Sequence, residues 1–75
     1  MKMVLVEWND AFSDGGWRSP VDDLPVSNCI TIGLLMYDNP EKVTIVQSKS
    51  DSGSYTDRIS IPRGCIKRIR YLRIK

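Results

Sequence analysis

The residues of this 75-residue chain that could do chemistry are cations and aromatic side chains, which together are suited to binding anions. Arginine presents a planar fork of donors that matches a phosphate group, and tryptophan or tyrosine offers a flat face for a base. The residues predicted to bind such a ligand are Trp8, Trp17, Arg18, Tyr55, Arg58, Arg63, Lys67 and Arg70. Further charge comes from Arg68 and Arg73, and a further flat face from Tyr71.

The positive charge is concentrated at the C-terminal end of the chain. Residues 58–75 hold seven bases and no acid, whereas residues 1–57 hold nine acids and four bases. This asymmetry predicts an anionic partner for the C-terminal segment. Two other interpretations stay open: a solvated basic strand, or a basic strand that faces the acidic half within the fold or across a subunit contact.

An anionic ligand could be held in two ways. In a discrete nucleotide pocket, Arg63 and neighbouring basic side chains would hold the phosphates, while the Trp17 ring stacks on the nucleobase. A continuous groove would instead follow single-stranded nucleic acid, although the sequence lacks the aromatic clustering of an RNA-recognition strand.

Catalysis is not expected, because the residue types that usually perform it are missing. The chain has no histidine, which is the commonest general base and zinc ligand. Gly15-Gly16 is not followed by the Lys-Ser/Thr of a phosphate-binding loop. Cys29 and Cys65 have no metal-binding spacing, and we expect buried free thiols, with a disulfide as the alternative. No cofactor or metal is therefore predicted.

A predicted β-hairpin over residues 29–48 is the element around which the chain is organised. Apolar residues alternate with others over residues 30–37, and turn formers at 38–42 separate them from a second alternating run at 43–47. Gly33 has no side chain to pack, so it predicts a bulge, a sharp bend or the close approach of another backbone.

Three shorter strands are predicted around this hairpin, over residues 3–8, 56–61 and 65–74, with a tight or 3₁₀ turn at 62–64. The β-branched content of the last segment favours a strand over an amphipathic helix. Its apolar residues occur on both faces, which predicts a bulge near residues 69–72 or a neighbouring subunit. This order of elements predicts an all-β, five-stranded SH3-like or Sm-like barrel, with residues 1–75 as one domain.

A long loop over residues 9–28 carries Trp17, and loops of this length are usually functional or mobile. Trp17 is predicted either to close one end of the barrel or to line a ligand or subunit surface. A chain this short buries only about 60% of its unfolded surface, so we expect a homo-oligomer. No apolar run could span a bilayer and no signal-peptide pattern is present, so a cytoplasmic location is expected, without membrane association.

Three pieces of the sequence together resemble a group of small phage and prophage proteins. They are residues 6–10 leading to Gly16-Trp17, residues 31–35 with Gly33, and residues 61–69 with an Ile-Pro-Arg turn before a final basic strand. The resemblance implies phage origin and a small barrel, and it implies no reaction. Many phage proteins of this size act on host defence or host machinery, and some sequester nucleotide second messengers as symmetric oligomers.

The leading expectation is a noncatalytic phage protein of the host cytoplasm that binds a phosphorylated ligand. A cyclic nucleotide or other nucleotide signal, sequestered from host antiphage defence, is the ligand that the resemblance favours. One alternative is an Sm-like protein that binds nucleic acid, and another is a protein-only inhibitor or adaptor of a host enzyme.

Overall fold

In the computed structural model, five antiparallel strands and one short 3₁₀ turn form a single sheet. The structure describes residues 1–73 except positions 12, 14, 18 and 22. The elements are β1 (Met3–Asp10), β2 (Ser27–Asp38), β3 (Lys42–Lys49), β4 (Tyr55–Pro62), the 3₁₀ turn (Arg63–Cys65) and β5 (Ile66–Leu72). The predicted all-β class and the five strands are confirmed.

The strand order in the sheet is β4-β3-β2-β1-β5, so β4 and β5 are the two edge strands. β1 to β4 follow one another as a meander, and β5 returns to pair with β1. A closed barrel would need β4 to pair with β5, and the described strands do not make that pairing. The sheet is therefore open, and the predicted barrel is not confirmed.

The core cluster lies on one face of the sheet, and in β1 it follows directly from the alternation of residues along the strand, whereas in β3 the four residues 43–46 are all buried. Val4 and Val6 of β1 are fully buried, while Leu5 between them belongs to the opposite face. The other buried members of this cluster are Val43, Ile45 and Ile61. We call this side of the sheet the core face and the opposite side the outer face.

Gly33 lies where β2 passes close to β3. A β-carbon at this position would lie 2.6 Å from Ile45 Cγ2 and 2.7 Å from the carbonyl oxygen of Val46. The close approach of another backbone, one of the three predicted explanations, is therefore confirmed. At the same place the side-chain amide of Gln47 donates a hydrogen bond of 2.9 Å to the carbonyl oxygen of Ile32.

The last segment is a strand, so the alternative of a helix is wrong. It contains a β-bulge, because Glu7 lies opposite Arg68 whereas the next residue, Trp8, lies opposite Ile66. Lys67 is the extra residue on the bulged strand. The irregularity thus precedes the predicted position at residues 69–72. It falls directly after the 3₁₀ turn, where β5 first meets β1.

Candidate anion-binding surface

Trp8 and Lys67 are the two predicted ligand residues that the structure brings together. Both line a depression of about 140 Å³ near Cys29 and Ile30. The depression is smaller than the roughly 300 Å³ at the lower end of small-molecule pockets, so it could not enclose a nucleotide. The indole nitrogen of Trp8 donates a hydrogen bond of 3.0 Å to the Thr31 hydroxyl, and the residue packs against the core.

The remaining predicted residues do not join this depression in one pocket. Tyr55 and Arg58 belong to β4, whereas Arg70 belongs to β5 at the other edge of the sheet. Three strands separate these two edges. Arg18 lies outside the described residues. One chain therefore does not assemble the predicted site from these side chains.

Arg63 makes an ion pair and hydrogen bonds to other residues of the same chain. Its guanidinium forms an ion pair with Asp38, and Nη2 donates a hydrogen bond of 2.8 Å to the carbonyl oxygen of Asn39. Its backbone N–H donates to the carbonyl oxygen of Glu41 at 3.0 Å. These bonds fasten the 3₁₀ turn to the β2–β3 turn, so the predicted phosphate contact would have to break this clamp. Arg63 therefore has a structural role in the fold, and its assignment as a ligand residue stays a prediction.

Trp17 is 99% exposed, so the alternative in which it closes one end of a barrel is wrong. It lies in the long connection between β1 and β2. The other alternative, a position on a ligand or subunit surface, stays a prediction.

A larger cleft, of about 490 Å³, lies where the start of β1 meets the end of β5. Its volume falls within the range of small-molecule sites, roughly 300–1,000 Å³. Its floor is apolar because Met3 of β1 lies opposite Leu34 of β2 on one side and Leu72 of β5 on the other. The residues that line it are Met1, Lys2, Met3, Leu34, Tyr71, Leu72 and Arg73.

The cleft is electropositive, since its described lining contains two basic side chains and no acid. The Lys2 ammonium lies 5.2 Å from the centroid of the Tyr71 ring, a cation–π geometry that holds the two side chains together. Neither Lys2 nor Arg73 takes part in an ion pair within the described part of the chain. Arg68 differs, because its Nε donates to Glu7 at 2.9 Å.

None of the residues lining the cleft belongs to the predicted set. The sequence identifies Tyr71 as a flat ring and Arg73 as a cation by residue type alone. Lys2 is not identified in this way, because it stands 69 positions before Tyr71 in the sequence. Antiparallel pairing of β1 with β5, with Met3 opposite Leu72, brings these two ends together. The signal that could have found the site is this register.

Three negative observations complete the description of the site. Among the described residues, no group of three or more histidine, cysteine, aspartate or glutamate side chains could hold a metal ion. In the same part of the chain, no helix has the length and apolar character needed to cross a membrane. Comparison with protein families, curated proteins and solved structures finds no match to this chain.

Proposed function

We propose that this chain is a noncatalytic binding protein for a phosphorylated small molecule, whose phosphate binds in the cleft beside Lys2 and Arg73. The observation that carries the proposal is a cleft of small-molecule size with two basic side chains and no acid in its described lining. The biological role we propose is sequestration of a nucleotide second messenger in the host cytoplasm, against antiphage defence. That role rests on the resemblance to phage proteins.

Each side chain of the cleft has a chemical role in this proposal. Arg73 can hold two phosphate oxygens with its planar fork, whereas Lys2 contributes a compact point charge. The Tyr71 ring offers a flat surface beside these charges. The apolar floor at Met3 and Leu72 accommodates the uncharged part of the ligand. Sequestration needs only affinity, so no reacting group is required.

Nucleic-acid binding is the second candidate, and one specific observation favours it. Lys67, Arg68 and Arg70 are three exposed cations within four consecutive positions of the edge strand β5. Such a cluster of cations along a sheet edge could contact a phosphate backbone. The outer face beside it, at Leu5 and Ile32, is aliphatic and offers no base-stacking ring, so we rank this candidate below the first.

The SH3-like or Sm-like barrel and the homo-oligomer belong to the same proposal. A strand order with β5 returning to β1 after a single 3₁₀ turn is compatible with a small barrel. Closure would require the two edge strands, β4 and β5, to meet.

The test is calorimetry with inorganic phosphate and a panel of nucleoside phosphates and cyclic dinucleotides. We expect Arg73→Ala to weaken binding about 10- to 150-fold, which corresponds to the loss of about 1.5–3 kcal/mol for a charged hydrogen bond. Lys49→Ala, which removes the same charge at the far end of β3, is the matched control and should leave binding unchanged.

The outcomes separate the candidate functions. An equal loss in both variants would mean that only net charge matters, which contradicts a defined cleft. No heat with the whole panel, together with a steep salt-dependent gel shift, would favour nucleic acid. No binding in either assay would leave the protein-only inhibitor or adaptor.

A further inference from the structure

The outer face of the sheet carries an apolar stripe that the chain itself leaves uncovered. Ile30 and Ile32 of the inner strand β2 are 65% and 48% exposed. Leu5 of β1 lies directly opposite Ile32 and extends the stripe toward β5. Contiguous exposed apolar residues of this kind mark an interaction surface more often than scattered ones do.

A basic border runs along one side of this apolar stripe. Arg70 of β5 lies opposite Leu5, and Arg68 lies opposite Glu7, which itself faces Ile30. Arg68 is already paired with Glu7, but Arg70 is exposed and makes no ion pair among the described residues. A partner for this face should therefore be apolar and carry a negative charge that reaches Arg70.

Residues 19–26, which we call the arm, have that composition. The arm has the sequence Ser-Pro-Val-Asp-Asp-Leu-Pro-Val. Its apolar side chains are exposed: Val21 is 88%, Leu24 45% and Val26 53% accessible. Asp23 is exposed as well and takes part in neither of the described ion pairs. Its two prolines disfavour a helix.

The apolar side chains of the arm are not buried against the sheet of their own chain. The radius of gyration is 15.8 Å, compared with about 11 Å for a compact chain of this length. The molecule extends 53 Å along its longest axis. An exposed acidic and apolar segment thus coexists in one chain with an exposed basic and apolar face.

We propose that the arm of one copy docks on the outer face of a second copy, and that the two copies exchange arms. Val21, Leu24 and Val26 would cover the stripe of Ile30 and Ile32, while Asp23 approaches Arg70 of the other chain. A reciprocal contact of this kind is isologous and closes as a dimer. The proposal gives Asp23 and Arg70 partners of opposite charge, and it requires no ligand.

The experiment is a charge exchange followed by measurement of mass in solution. Asp23→Arg reverses the arm and Arg70→Asp reverses the face, and both positions are exposed. Each variant alone should dissociate to the 8.5 kDa monomer, with a dissociation constant raised at least about tenfold, because attraction between partners becomes repulsion. An equimolar mixture of the two should recover the dimer, since each arm then meets a face of opposite charge.

Two further variants control for misfolding and for net charge. Val21→Ser removes an apolar contact of the arm at a position 88% exposed, so it should weaken the dimer and leave the melting temperature of the monomer unchanged. Asp51→Arg, in the exposed β3–β4 connection, changes net charge as Asp23→Arg does and should leave the dimer intact.

Either of two results would overturn the proposal. One is a wild-type chain that remains monomeric throughout the micromolar range, which includes the case of an arm that folds back on its own face. The other is a mixture of the two reversed variants that stays monomeric. Both are measured without ligand, so they leave the phosphate-binding test at Arg73 unaffected.

Discussion

Substitution of Gly33 by alanine should destabilise the protein, although alanine usually suits a strand better than glycine does. The reason is that the added β-carbon would lie 2.6 Å from Ile45 Cγ2 and 2.7 Å from the carbonyl oxygen of Val46. Ordinary contacts of a β-carbon are about 3.4–4 Å. Ile45 is fully buried, and the Val46 oxygen belongs to the backbone, so neither atom can withdraw without moving β3.

The size of the effect follows from two opposing contributions. Replacing glycine inside a strand normally stabilises a protein by about 0.5–1 kcal/mol. Overpacking costs about 1–3 kcal/mol, and the upper part of that range applies because one of the obstacles is backbone. We expect a net loss of about 2 kcal/mol, which lowers the melting temperature of a domain this size by about 8–16 °C.

The assay is thermal unfolding followed by circular dichroism, with Gly64→Ala as the matched control. A β-carbon at Gly64 would meet no atom within 4 Å, so that variant should stay within about 0.5 kcal/mol of the wild type. A Gly33→Ala protein that melts at or above the wild-type temperature would refute the steric explanation.

A double-mutant cycle identifies the obstacle. Ile45→Ala removes Cγ2 and should reduce the cost of Gly33→Ala, with a coupling energy of about 0.5–3 kcal/mol. The cost should not vanish, because the Val46 oxygen remains in place. If the changes in the free energy of unfolding for Gly33→Ala and Ile45→Ala add completely, β2 and β3 move apart in the Gly33→Ala protein and the new β-carbon does not press on Ile45.

Three smaller effects test other contacts of the fold, each by urea denaturation. Arg63→Gln should cost about 1 kcal/mol, because it removes the half-exposed ion pair with Asp38 and weakens the clamp on the β2–β3 turn; an unchanged midpoint would contradict the structural role. Trp8→Phe should cost about 1–2 kcal/mol through loss of the bond to Thr31 and of packing volume, and a cost below 0.5 kcal/mol would show that the bond contributes nothing. Asp57 has a φ of 55°, so replacement by valine should cost about 1–2 kcal/mol while glycine is tolerated; equal effects of both would rule out backbone strain there.

Local chemistry made most of the fold predictable from the sequence. Alternation with a period of two determines which side chains of β1 are buried, and Val4 and Val6 are buried as that alternation requires. The significance of Gly33 was also readable, since a glycine inside an otherwise well-packed strand needs a steric reason. Turn formers marked the ends of the strands within one or two residues.

Contacts between distant parts of the chain were not predictable in the same way. A basic side chain looks the same in sequence whether it binds a ligand or an internal acid, and Arg63 pairs with Asp38, 25 positions away. The cleft depends on the register between β1 and β5, the first and last strands, which no local pattern specifies. Closure of the sheet depends likewise on edge strands that are not neighbours in the order.

The distribution of paired and unpaired cations connects the two proposals. Within the described residues of the basic segment, Arg63 and Arg68 are neutralised by acids of the same chain. Internal pairing therefore accounts for only part of the charge asymmetry, and Arg70 and Arg73 remain exposed without such partners. Like charges close together along one short strand repel one another, and anions bound from outside the chain would reduce that repulsion. An acidic arm at Arg70 and a phosphate at Arg73 would supply such anions at two separate places, so single substitutions can distinguish assembly from ligand binding.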